Sequence, residues 1–312
     1  MIGLPQVYVV AGLVFAASSV LSALDASNPR RWVNAGFWGL LAASMLAGDR
    51  LGDLGNGVLV IALVGVAALG GLGRGLVRDD SAERRERAAT HGNNLFLLAL
   101  VIPLTALVGT LAFRAVPWLA DPKQVTLVSL ALGALLALAV GLVWLRERAI
   151  TPLQEGRRLL DAIGWAAILP QMLASLGAVF ALAGLGKVVG GLVGGVIPDG
   201  SRLGAVLAYA IGMALFTMVM GNAFAAFPVM AAAIGLPLLI QQYHGDPAVV
   251  AAVGMLAGFC GTLMTPMAAN FNMVPAALLE LKDRNAVVKM QVPTALPLLG
   301  FNIALLYWAA FR

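Results

Sequence analysis

Apolar residues in this chain come in long runs rather than in short alternating stretches. The runs cover 5–24, 34–48, 54–73, 94–117, 124–145, 159–184, 203–240, 248–280 and 293–311. A membrane-crossing helix needs about 20 predominantly apolar residues, and most of the runs are near that length or longer. The run at 34–48 is short, and is expected to be tilted, partial or extended by its flanks. None keeps the strict period of two that an outer-membrane barrel strand requires. The pattern predicts an all-α, polytopic helical membrane protein of about eight to ten spans. The runs at 203–240 and 248–280 are interrupted, and predict two discontinuous helices or re-entrant hairpins.

Composition agrees with that pattern. Of 312 residues, 61% are hydrophobic and only 11% charged, with a mean hydropathy of +0.92. That is too little charge to cover a soluble protein of this length. The 36 glycines suit helices that associate by close backbone approach, since lipid removes the hydrophobic drive between them. One cysteine, Cys260, and two histidines, His91 and His244, exclude a disulfide framework and a Cys/His metal cluster. Cys260 lies in an apolar run and is expected to pack as a small residue.

No enzyme is expected. The chain shows no nucleophile–His–acid set and no HExxH, and Gly184-Leu185-Gly186-Lys187 lacks the spacing of an ATP-binding loop. Cofactors are not expected beyond a coupling ion. Nucleic acid is not an expected partner either, because the basic residues lie between apolar runs and form no stripe with interleaved aromatics. The run at 4–24 lacks a basic leader and is expected to be a first transmembrane helix rather than a signal peptide.

The basic residues instead report orientation. With the N-terminus outside, 14 of the 20 Lys and Arg fall inside: Arg30, Arg31, Arg74, Arg78, Arg84, Arg85, Arg87, Arg146, Arg148, Arg157, Arg158, Lys282, Arg284 and Lys289. Arg50, Lys123, Lys187, Arg202 and Arg312 fall outside, and Arg114 can snorkel to its helix end. The assignment requires an odd number of crossings between Arg202 and Lys282. Two passes in 203–240 and one long broken pass in 248–280 would satisfy it, as would re-entrant hairpins.

Intramembrane polar groups are distributed unevenly. Residues 1–150 read as scaffold helices, and residues 151–312 as a transport region with broken helices around 217–228 and 261–275. The hydrophilic connector 74–93 is a further plausible boundary.

The first break is Thr217-Met218-Val219-Met220-Gly221-Asn222-Ala223-Phe224-Ala225-Ala226-Phe227-Pro228, in the middle of an apolar run and far from either expected interface. Gly221 permits a backbone excursion, Asn222 supplies a carbonyl and an amide, and Pro228 leaves the Phe224 carbonyl without its helical donor. The same residues would also suit a helix pair glued by Asn222 and closely packed at Gly221.

The second break is GTLMTPMAANFNMVP, Gly261 to Pro275. Pro266 frees the carbonyl of Thr262, and Pro275 that of Phe271. On a continuous helix Thr265 and Asn272 would share a face while Asn270 pointed elsewhere. An unwound segment would let Thr262, Thr265, Asn270 and Asn272 converge; a simple proline kink with back-bonded threonines is the alternative.

Unwound backbone at membrane depth needs protein or a water-filled cavity to satisfy it. Half-helix N-termini suit anions, and freed carbonyls suit a cation such as Na⁺ near Asn222, Thr265 and Asn270. Gln171, after Pro170 in the run at 159–184, is a further candidate lining residue, or else a partner in one interhelical hydrogen bond. Carboxylates are scarce in the runs. Asp161 at a helix start suits the dipole, and Glu280 and Asp283 lie at an interface, which favours Na⁺ over H⁺ as coupling ion.

The segments MGNAFAAFPVM, GTLMTPMAANFNMVPAALLELKDRN, EGRRLLDAIGWAAILPQ and SNPRRW…FWGLLAASMLAGDRL resemble a bacterial inner-membrane family, the larger subunit of a two-subunit 5-oxoproline (pyroglutamate) transporter. That family was long catalogued as a domain of unknown function and is grouped with the ion transporter superfamily. The resemblance covers essentially the whole chain and is strongest over 155–295. It implies uptake of 5-oxoproline or another small carboxylate across the cytoplasmic membrane, driven by Na⁺ or H⁺, with the N-terminus periplasmic. A second membrane subunit is the implied partner. It places the superfamily's Asn-containing break on Gly221, Asn222 and Ala223, its TP-containing break on Thr265 and Pro266, and further polar positions on Asn270 and Asn272. Met267-Ala268-Ala269 departs from the Gly/Ser-rich turn of many members. The competing expectation is a non-transporting structural or regulatory subunit of a membrane complex.

Overall fold

A computed structural model describes residues 1–69, 71–73, 75, 86, 89–116, 118–195, 200–279 and 281–312. Arg74, Arg78, Arg84, Arg85, Arg87 and Glu280 lie outside the described residues, as does most of the connector 74–93. The fold is all-α, and among the described residues eight helices are long and apolar enough to cross a membrane. The chain divides into two compact units, Met1–Ala162 and Ile163–Arg312.

In the first unit, α1 (Leu4–Leu24) packs on α2 (Arg31–Leu69). Gly12 lets them approach, because a methyl group there would collide with the Leu46 side chain. α2 is broken at Gly52, whose φ of 62° and ψ of −176° are open to glycine but strained for other residues. Its second half folds back, since Gly73 N donates to Asn34 Oδ1 and Asn34 Nδ2 to Gly73 O, both at 2.8 Å. The runs at 34–48 and 54–73 are therefore the two arms of one helical hairpin.

α3 (Leu95–Ala115) and α4 (Val125–Leu145) form a second hairpin, with Gly133 against the Ile102 backbone and Gly109 against Ser129. Ile2 ties the start of α1 to the start of α4: its N–H donates to Leu119 O at 2.8 Å, and Asp121 N–H donates back at 2.9 Å. α3 has no fully buried residue, although the Thr110 hydroxyl is enclosed, and Phe96, Leu104, Leu107 and Leu111 are all more than half exposed. Such a surface fits lipid and not water. α5 (Thr151–Ile163) closes the unit and carries Arg157 and Asp161.

In the second unit α6 (Leu169–Leu182) and α7 (Leu185–Gly194) meet at Gly184, where φ is +73°. α8 (Arg202–Met220) starts at a Ser201 cap that accepts from Gly204 N at 3.0 Å. α9 (Ala223–Met230) runs on directly into a π-helix over Ala231–Gln242. α10 (Pro247–Leu263) starts at Asp246, whose carboxylate accepts from Ala248 N and Val249 N. α11 (Met273–Leu278) is a short turn before α12 (Ala286–Ala309).

Neighbouring contacts fix the directions of these helices. Gly212 faces Met230 and Gly235 faces Tyr209, so α9 and the π-helix return antiparallel to α8. Gly254 faces Tyr209 and Thr265 reaches Met218, so α10 runs parallel to α8. Asp246 N donates to Ala310 O at 2.8 Å, and Asn302 Nδ2 to Cys260 Sγ at 3.4 Å, so α12 returns antiparallel to α10. Leu173, Gly177 and Gly190 meet Gly221, Ala225 and Ala233 in turn, which runs α6–α7 alongside α9 and the π-helix. The core is built from Val206, Tyr209, Met213, Ile234, Leu239 and Leu306, each fully buried.

The topology selects among the alternatives for 203–240 and changes the expectation for 248–280. The break at Gly221-Asn222 is the tip of a helical hairpin between two apolar helices, Arg202–Met220 and Ala223–Gln242, as the two-pass alternative has it, and so does not lie in mid-span. It stands 19 residues from the start of α8, about 28 Å at helical rise, which is nearly the hydrocarbon thickness. The stretch 248–280 is not one broken pass: α10 stops at Leu263 and the chain turns back into α12. In both places the flanks are equally apolar, so hydropathy alone does not show that the chain reverses. Between Arg202 and Lys282 the chain runs in alternating directions through α8, through α9 with the π-helix, and through α10.

Candidate functional site: two helix turns that meet

The first turn is made by two residues. Gly221 takes φ +69°, ψ 3°, and its N–H donates to Thr217 O at 2.7 Å, ending α8. Only glycine adopts this left-handed conformation without cost. Asn222 is extended (φ −151°, ψ 121°), and its Oδ1 accepts from Phe224 N at 2.8 Å, capping α9. Asn caps favour helix starts because they satisfy one of the orphan N–H groups there. Ala223 follows, buried against Gly258 of α10.

The second turn is built around Asn272. Pro266 has no N–H, so the Thr262 carbonyl at the end of α10 loses its helical donor. Asn272 Nδ2 takes that place, donating 2.8 Å to Thr262 O and 2.6 Å to Thr265 O. The Thr262 hydroxyl back-bonds to Phe259 O at 2.6 Å. Asn272 is 0% exposed, and its Oδ1 is buried with no hydrogen-bond partner among the described residues.

The two turns touch. Thr265 Oγ1 donates to Met218 O at 2.9 Å and accepts from Met267 N at 3.2 Å. A methyl group on Gly221 would collide with the Met267 carbonyl and crowd Leu173. Ala268 and Ala269, which stand where a Gly/Ser-rich turn was the comparison, are buried beside this contact. Below it lies Thr217, fully buried, whose Oγ1 also lacks a partner among the described residues. Phe224 and Phe259 pack edge-to-face at 5.8 Å on one flank.

Not every predicted residue joins. Gly221, Asn222, Ala223, Thr262, Thr265 and Asn272 come together, with Pro266 exposed on the turn. Asn270 is exposed and does not converge with Asn272. The turns Ala268–Phe271 and Ala268–Asn272, closed by 3.0 Å backbone hydrogen bonds, hold Asn272 inward and leave Asn270 outside. Gln171 is exposed on α6, two residues from Leu173, and its backbone carbonyl accepts from the Ser175 hydroxyl.

Other buried polar groups of this unit escaped the sequence. Tyr209 OH has no partner among the described residues and lies between Gly235 and Gly254. Gln291 Oε1 is likewise buried without a partner. Single polar residues in apolar helices carry no local sign of which way they face.

At this end of the unit the C-termini of α8 and α10 lie beside the N-terminus of α9. The partial negative charge at the first two favours a cation, and the N–H end of the third favours an anion. Asn272 Oδ1 is an acceptor, and the Thr217 hydroxyl can donate or accept.

The chain belongs to the family described as a protein of unknown function (DUF979), whose model matches residues 5–311. No curated protein and no solved structure matches it.

Proposed function

We propose that this chain is a subunit of a secondary membrane transporter for a small organic anion, with 5-oxoproline as the substrate and Na⁺ or H⁺ as the coupling ion. The observation that carries the proposal is the meeting of the two turns over buried Thr217 Oγ1 and Asn272 Oδ1, which have no partner among the described residues. Buried polar atoms without partners are costly in a resting fold, and a solute or ion that pairs with them offsets that cost. The resemblance of the Asn222 and Thr265-Pro266 segments supports the transporter class and the substrate.

In this mechanism the carboxylate of 5-oxoproline sits against the N-terminus of α9 at Asn222. The ring amide pairs with Asn272 Oδ1 or with Thr217. A cation is held by carbonyls at the ends of α8 and α10. Access requires the Thr265–Met218 link to open. A second membrane subunit completes the transporter in the cytoplasmic membrane, and the Lys282, Arg284 and Lys289 end faces the cytoplasm. The direct test is uptake of labelled 5-oxoproline by cells expressing this chain with its partner subunit. Uptake that survives removal of both subunits would overturn the substrate assignment.

A further inference from the structure

The first unit holds a second buried polar cluster, where α1 ends and α2 begins. Asp161 of α5 is only 7% exposed. Its Oδ1 accepts from Asn34 Nδ2 and from Trp38 Nε1, each at 2.9 Å. Its Oδ2 faces Arg157 NH1 at 3.3 Å, and the same nitrogen lies only 2.7 Å from Asp25 Oδ2.

Two carboxylates thus share one guanidinium through a single nitrogen, and among the described residues the cluster carries one net negative charge. Burying an unbalanced charge is costly, and a group so placed binds a proton to relieve it. Among the described residues, the surrounding charges leave the imbalance in place. Arg30 turns its NH1 to Gly71 O at 3.2 Å, and Arg158 pairs with Glu155 at 2.8 Å. Arg31 lies over the Trp32 ring, 5.3 Å from its centroid. Asn34 and Trp38 of α2 do not ionise, and the described residues of the returning segment, Gly71 to Gly73 and Gly75, carry no ionisable side chain. Burial works against charge on Asp25, but hydrogen bonds from Ser27 and Arg157 outweigh it and hold its carboxyl below the ordinary range. Asp25 therefore keeps both its charge and Arg157.

We propose that Asp161 is the proton-binding site of this transporter, taking up one proton on Oδ2 while Arg157 stays on Asp25. This rests on the transporter reading above and assigns its coupling ion. The proton comes from water at that end of the unit, reached past the partly exposed Arg157 and Asp25. The only contact given up is the longer Arg157–Asp161 hydrogen bond, and release of the proton restores it. The change reaches the polypeptide through α5, which continues through residues 164–168 into α6.

The test uses infrared difference spectra of the full chain in lipid vesicles, stepped between about pH 8 and about pH 5, where perturbed carboxyls titrate. A protonated-carboxyl band is expected in the wild type and absent from Asp161→Asn. Asp25→Asn leaves Arg157 to Asp161 alone, and should move the band to lower pH by about one unit, a tenfold change in proton affinity. Arg157→Gln should move it to higher pH. These two variants keep the proposal testable if Asp161→Asn does not fold. No band in the wild type, a band that persists in Asp161→Asn, or a band that neither neighbouring variant moves would overturn the proposal. In the transport arm, 5-oxoproline uptake that still follows a proton gradient in Asp161→Asn overturns the proton site and leaves the transporter reading standing. A titrating Asp161 in a chain and partner that take up no solute supports the proton site and overturns the transporter reading.

Discussion

The hydroxyl of Thr265 donates to the main-chain carbonyl of Met218 at 2.9 Å, joining two helix turns that are 47 residues apart in the chain. It is the one hydrogen bond among the described residues through which a side chain of the second turn holds the first. Thr265→Val keeps the shape and removes the bond. It should lower stability by about 1 kcal/mol, with Thr265→Ser near wild type, measured by thermal unfolding in detergent. Uptake should change in Thr265→Val by more than stability alone explains, because the link guards access to Thr217 and Asn272.

Asn272 closes the end of α10. Replacing it with Ala strands two buried carbonyls, those of Thr262 and Thr265, each costing about 1–3 kcal/mol when unpaired. Asn270→Ala, at an exposed position on the same turn, should stay within about 0.5 kcal/mol of wild type. Equal destabilisation of the two variants would contradict this division of labour.

Glycines 221 and 184 separate two effects. Both have positive φ, +69° and +73°, but only Gly221 meets other atoms where a side chain would begin. Gly184→Ala should cost about 1–2 kcal/mol of backbone strain, and Gly221→Ala distinctly more, because the Met267 carbonyl must also move. Paired melting curves of the two variants check the order.

Much of the fold is legible in the sequence. The runs at 5–24, 94–117 and 124–145 correspond to α1 (Leu4–Leu24), α3 (Leu95–Ala115) and α4 (Val125–Leu145), because nothing but continuous apolar character is needed to define them. The turns were legible as places and not as shapes. Gly221 and Pro266 mark where a helix must stop; at Gly221 the two-pass alternative for 203–240 already lets the chain double back, whereas the equally greasy flanks of Pro266 point to one long broken pass. Pro266 also announces that the Thr262 carbonyl is free. That Asn272 and not Asn270 supplies the donor depends on the fold of the turn between them. Least legible is the cluster at Asp161, whose partners Asn34 and Trp38 lie 127 and 123 residues away. The sequence suggests a helix start for Asp161, whereas it stands in the last turn of α5 (Thr151–Ile163), and a carboxylate there looks the same whether it faces water or a buried indole.

The pH dependence of the first unit follows from Asp25. Its carboxyl is held below the ordinary range by Ser27 and Arg157 despite burial. The folded state therefore binds this proton less readily than the unfolded one. The tie to Arg157 contributes its full stability above the unfolded carboxylate value near pH 4, and loses it as pH falls through the folded value. Asp25→Asn should remove about 1–3 kcal/mol near neutral pH and flatten the acid limb of the stability profile. An unchanged acid limb would show that Arg157 does not hold Asp25 in solution.

The most direct measurement is uptake of labelled 5-oxoproline into proteoliposomes containing this chain and its partner subunit, with a Na⁺ or proton gradient imposed in turn. Gradient-dependent accumulation is expected in wild type and in Asn270→Ala. It should be lost in those Asn272→Ala preparations that remain folded by thermal unfolding. Absence of accumulation under either gradient, or equal accumulation in folded Asn272→Ala, would contradict a solute site where the two turns meet.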